Sequence, residues 1–169
     1  MLPGAASVSG EREPIRCVAV TPDPDVVAAD RRLSWGSLMV VAVALPALPV
    51  LHVCNRLSTR RTLAVVAWLS RVRGPRIACD PARVGRAVNG AARLARMQGT
   101  TCLARSQLIW LLLTLCGQRP VIRVGAAAGL GEGTMAHAWV EIDGAPVADG
   151  ADVAMLHPPF DRPLLGPPG

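Results

Sequence analysis

Cys102, His137 and one carboxylate from among Glu141, Asp143 and Asp149 have the side-chain chemistry of an activated thiol nucleophile. Cys102 follows Thr100 and Thr101, either of which caps a helix, and opens an apolar run that reaches Cys116 before Gly117. In the first turn of such a helix, unpaired N–H groups and the positive end of the dipole favour thiolate over thiol. The same N–H groups stabilise an oxyanion during acyl transfer. Cysteine is also a common small buried hydrophobe, so position alone does not make a nucleophile. His137 supplies the missing base. It opens a short strand after the Gly-rich stretch 125–133, and a neutral imidazole near a thiol takes its proton.

A third group should hold the imidazole in one tautomer. Glu141 lies on the same strand face as His137 but about 13 Å along it at the usual rise. Asp143 sits farther off, at the tip of the Asp143-Gly144 turn. Asp149 is on the return strand Ala145 to Asp149, and register decides whether it faces the histidine. A two-residue turn places Asp149 opposite Ala138, with its side chain on the wrong face. A three-residue loop with Gly144 left-handed pairs Glu141 with Ala145 and His137 with Asp149. The triad therefore predicts the three-residue loop.

The elements that must carry these groups are legible from punctuation and periodicity. Residues 1–30 read as a loose N-terminal tail, and 31–79 as a helical N-terminal subdomain. The stretch Gly36–Asn55 carries no formal charge. Its length approaches a membrane span, but Pro46 and Pro49 interrupt it, and a buried helix broken near Pro46 is the preferred reading. A second helix follows at about 57–72. Asp80-Pro81 is an N-cap followed by a proline at the first helical position. Val84, Val88, Ala91 and Leu94 recur at helical spacing, with Arg83, Arg86, Arg93 and Arg96 on a solvated side, and Gly99 stops the helix. The interior of the Cys102 helix, Leu108 to Leu113, is apolar nearly all round and predicts a central buried element. Val121–Val124 and His137–Ile142 read as strands. The core that carries Cys102, His137 and Asp149 spans 80–155. Residues 156–169 form a Pro-rich tail that adds packing only, and His157 in it has no evident partner.

Composition narrows the function classes. All the positive charge is Arg, and the formal net charge is +6. That balance suits an acidic peptide or weak association with a membrane surface. Nucleic acid is excluded as a partner for want of any aromatic-interleaved basic motif. The five cysteines are odd in number, widely spaced and without a C-x-x-C pair. They predict no disulfide framework, no metal site and a reducing, cytoplasmic setting. No secretory signal opens the chain.

The run Cys102-Leu103-Ala104-Arg105-Ser106, then Gly117 and Val121–Gly125, then His137-Ala138-Trp139-Val140-Glu141 and Asp149, resembles the transglutaminase-like leader peptidase of lasso peptide biosynthesis. With no leader-recognition domain ahead of it, the chain is most similar to the stand-alone peptidase half of the split maturation protein. The resemblance covers residues 80–150. It implies an α+β, papain/transglutaminase-like fold, with the cysteine at a helix N-terminus packed on a small antiparallel sheet. It assigns the catalytic roles to Cys102, His137 and Asp149, and implies leader removal through a thioester with no cofactor. It also implies three partners: a precursor peptide, a small leader-binding recognition protein and an ATP-dependent macrolactam synthetase. Gln98 is a candidate oxyanion donor, and Trp139 either walls the site or packs the core. Arg105 matches the run but also reads as a surface arginine. Two rival functions stand beside peptide hydrolysis: acyl transfer to an amine on the same fold, and a non-catalytic, membrane-associated adaptor anchored by Gly36–Asn55.

Overall fold

The computed structural model describes residues 35–71, 79–97, 102–128 and 134–167. The expected tail at 1–30, Gln98, the helix stop at Gly99, the threonine caps and the middle of the Gly-rich stretch lie outside the described residues.

The apolar segment forms α1 (Trp35–Leu69), and it corrects the sequence reading twice. The helix does not break at Pro46; both prolines sit inside it. The kink falls at Ser58, whose φ of −165° and ψ of 98° are not helical. Ser58 caps the second half: its Oγ accepts from the Arg61 N–H at 3.4 Å, three residues on, as an N-cap does. Nor is α1 a buried helix. Ala44 and Leu48 are fully buried, while Met39, Val50 and Val53 on the other side are more than half exposed. One packed face holds the helix straight through its prolines, since tertiary burial outweighs local propensity.

Helix α2 (Pro81–Leu94) starts as expected, with the Asp80 carboxylate accepting from the Ala82 N–H at 3.0 Å. It buries Val84, Gly85, Val88, Ala91 and Ala92 and leaves Arg83, Arg86 and Arg93 exposed. It ends before Gly99. Arg96 takes the left-handed conformation at φ 53°, and the Met97 N–H reaches back to the Ala92 carbonyl at 2.9 Å. Helix α3 (Cys102–Leu115) is the central element, with Leu108, Ile109, Trp110 and Leu113 all buried. Gln107, on the same helix, is 0 % exposed. Its amide exchanges hydrogen bonds with Asn55 of α1 at 2.8 and 3.1 Å, so a buried polar pair locks the two helices in register.

The sheet is antiparallel, in the order β1 (Val121–Ala128), β2 (Thr134–Ile142), β3 (Ala145–Pro146), with α3 packed on β1 and β2. The architecture is α+β, helices followed by a small antiparallel sheet. One hydrophobic cluster joins Leu48 and Val66 of α1, Val88 of α2, Leu113 of α3 and Ile122 and Val140 of the sheet. A short helix, α4 (Val153–Leu156), precedes the C-terminal segment.

That segment is more than packing. The Phe160 N–H donates to the Val124 carbonyl, and Ile122 and residues 164–165 exchange two bonds of 2.9 Å. The tail thus covers the free edge of β1, where unpaired N–H and C=O groups would otherwise stand open. Its close approach needs a glycine. A Cβ on Gly125 would lie 2.3 Å from the His157 carbonyl oxygen.

Candidate active site

Helix α3 brings Cys102, its first residue, against the middle of β2, which begins at Thr134, so His137 lies inside the strand and does not open it as the sequence suggested. The tie is Ser106, one turn along, whose buried hydroxyl donates to the Ala138 carbonyl at 2.9 Å. On β2 the neighbouring residue is His137, and the Cys102 thiol is hydrogen-bonded to its ring. The other side of the ring is taken as well: Nε2 of His137 meets Oδ1 of Asp149 at 3.1 Å. With Nε2 so engaged, Nδ1 is the ring nitrogen left for sulfur.

These contacts set the charge state. The bond to His137 lowers the Cys102 pKa, opposed by burial and helped by backbone N–H groups of Ala138 and Leu103. The bonds to Asp149 and then to Cys102 raise His137 from 6.5 to about 9. Thiolate facing imidazolium is the state both shifts favour.

Asp149 reaches the ring by a route the sequence reading did not foresee. The turn is the plain two-residue one: Ile142 pairs with Ala145, Glu141 with Pro146, and Asp143 and Gly144 both have positive φ, 51° and 80°. In that register a continued strand would put Asp149 opposite Ala138, on the wrong face. The strand does not continue. After Val147 donates to the Val140 carbonyl at 3.0 Å, the chain leaves the ladder and bends through 147–149. Facing is then decided by what holds the bend.

Helix α2 holds it. Gly85 lets Ala148 sit where a Cβ would approach the Ala148 Cβ to 2.6 Å. Asn89, one turn on, donates its amide N–H to the Ala148 carbonyl at 3.1 Å. The Asn89 amide oxygen in turn accepts from Arg105 Nη1 at 3.2 Å. Arg105 is therefore no simple surface arginine. It links the cysteine helix, through α2, to the residue before Asp149. Asn89 and Gly85 went unnoticed in the sequence, where both read as ordinary helix positions; their shared partner, Ala148, lies 59 residues beyond Asn89.

The remaining carboxylates are occupied or remote. Glu141 accepts from Trp139 Nε1 at 2.8 Å and from Arg123 Nε at 3.3 Å. Asp143 is exposed at the turn. Trp139 is fully buried, as core packing expects, and stacks on the His137 ring at 6.2 Å between centroids, 13° from parallel. His157, expected to have no partner, lies against the same ring at 5.1 Å. Its Nδ1 is buried without a hydrogen bond. The imidazole is thus packed by rings from β2 and from the tail.

Beside the first turn of α3, a cavity of about 220 Å³ is lined by His52, Asn55, Arg56, Leu103 and Ala104. Leu103 and Ala104, which follow Cys102 in the chain, give it an apolar side, and His52, Asn55 and Arg56 a polar one.

The model of the transglutaminase-like superfamily matches residues 44–160, from the first third of α1 into the C-terminal segment. No curated protein and no solved structure matches the chain.

Proposed function

Because the chain belongs to the transglutaminase-like superfamily, we propose that it is a cysteine peptidase that removes the leader from a ribosomally made lasso peptide precursor, with Cys102, His137 and Asp149 as its triad. The observation that carries the chemistry is one imidazole held between a thiol and a carboxylate. The precursor class rests on the combined runs Cys102-Leu103-Ala104-Arg105-Ser106 and His137-Ala138-Trp139-Val140-Glu141.

In this reading the Cys102 thiolate attacks the scissile carbonyl, and free N–H groups at the α3 N-terminus receive the oxyanion. As the C–N bond breaks, the His137 imidazolium gives its proton to the departing amine. The product is a thioester on Cys102 and a neutral His137. The imidazole then takes a proton from water, the hydroxide adds to the thioester, and the carboxyl product leaves. Asp149 holds one tautomer throughout. A small recognition protein presents the leader, and the freed core passes to an ATP-dependent macrolactam synthetase, all in the reducing cytoplasm.

The test is direct. A candidate precursor, the recognition protein and this chain are incubated and the products weighed by mass spectrometry, with Cys102→Ala in parallel. Leader and core whose masses sum to that of the precursor plus one water support the reading. Uncut precursor with wild-type protein, or equal cutting by Cys102→Ala, removes it. A product carrying an added amine in place of water would assign acyl transfer instead.

A further inference from the structure

The outer face of α1 has no role in the site, and its chemistry is unusual for a surface. From Leu38 to Val53 the exposed positions are Leu38, Met39, Ala42, Val43, Leu45, Pro46, Pro49, Val50 and Val53, without a polar side chain among them. Only 11 % of the most apolar window of α1 is buried. On a helical projection these residues fill close to half the circumference, wider than the two-position seam of a coiled coil. The strip is about 24 Å long and one helix wide. That is well short of the ~800 Å² per partner of a standard protein interface.

Charge says what lies opposite. Residues 31–79 hold eight arginines and no Asp or Glu, while the whole chain nets only +6. Arg56 ends the apolar strip one residue before Leu57, which is 81 % exposed, and Arg60 and Arg61 follow, both exposed. We infer that this face of α1 lies on an anionic lipid surface, with its apolar side chains at the acyl boundary and the arginines among phosphate headgroups. Spanning the bilayer is ruled out by the other face. Ala44, Leu48 and Leu51 pack in the same core as Val88 and Leu113, so a crossing helix would strip the support of α3. Lying in the plane keeps both faces satisfied.

The test uses the full chain and sedimentation with vesicles of phosphatidylcholine, alone or with one quarter phosphatidylglycerol. Binding should favour the anionic vesicles by at least about tenfold and weaken in high salt. The triple variant Val43→Gln/Val50→Gln/Val53→Gln should lose binding to both. Arg60→Gln/Arg61→Gln, both outside the cavity beside α3, should weaken binding to the anionic vesicles and blunt its salt dependence. All these positions are exposed, and circular dichroism matching wild type certifies each fold. Failure of wild type to bind anionic vesicles, or unchanged binding by the apolar triple, overturns the inference. So does a wild-type dimer that the apolar triple converts to monomer, or tight binding of the recognition protein that the same triple abolishes. Triad chemistry is untouched, so the outcome is independent of the peptidase assay.

Discussion

The two ends of α3 present the same functional group in opposite conditions. At the N-terminus, Cys102 faces a histidine and the N–H groups of Ala138 and Leu103, and its pKa falls. Just past the C-terminus, Cys116 meets Cys79, hydrogen-bonded thiol to thiol. There burial, then the Cys116 bond, pushes Cys79 up to about 12. Both ends are partly buried, so burial does not separate them. The partner does: an imidazole that becomes a cation stabilises a thiolate, whereas a second thiol and the nearby Asp80 oppose one.

The largest contrast should come from removing sulfur at each end. Cys102→Ala should abolish cleavage, a loss of at least about a thousandfold, while Cys79→Ala should leave kcat within about threefold. Equal losses at both ends, measured with the same precursor, would erase the distinction. Asp149→Asn should follow, at roughly a hundredfold or more in kcat with little change in KM, because the imidazolium loses its counter-charge.

Alkylation sharpens the comparison without a substrate. At pH 7 iodoacetamide should label Cys102 first, read by peptide mass, and Cys79 should stay unlabelled in the folded protein. Activity should fall as pH rises through about 9, where His137 loses the proton that the leaving amine needs. Linkage has the same sign. The raised His137 pKa contributes stability that is complete below its ordinary 6.5 and lost as pH passes about 9. A flat melting temperature across that window in Asp149→Asn, against a declining one in wild type, would locate the effect in this pair.

The smallest expected effect is the most informative about positioning. Asn89→Ala removes the bond to the Ala148 carbonyl and the acceptor for Arg105. It should lower kcat by about tenfold, leave KM unchanged and shift the alkaline limb downward as Asp149 moves from the ring. Loss of KM alone would point to substrate contact instead.

Much of this was readable in one dimension. The Asp80-Pro81 start of α2, the α3 core from Leu108 to Leu113, the two long strands and the Asp143-Gly144 turn all rest on local chemistry: caps, periodicity and turn residues. Cys102 could be named from a helix start, and His137 from an apolar run read as opening a strand. The strands in fact extend into the Gly-rich stretch, to Ala128 and from Thr134, because backbone pairing continues where side-chain pattern fades. The outer face of α1 could not be read, since a uniformly apolar helix shows no periodicity to tell its packed side from its bare one.

What tertiary structure alone decided is the facing of Asp149. Register arithmetic assumed a continuing strand, and on that assumption required a three-residue loop. The chain instead abandons the ladder after Val147, because Gly85 and Asn89 on α2 offer Ala148 a better seat than a strand partner. The C-terminal segment along β1 and His157 belong to the same class. Their partners are Val124 and His137, fixed by a sheet edge that exists only once β1 and β2 have paired. Sequence by itself determines which groups the chain carries and which local elements hold them. Contacts between distant segments determine which way those groups point, since a side chain's direction follows from a backbone path that no local propensity sets.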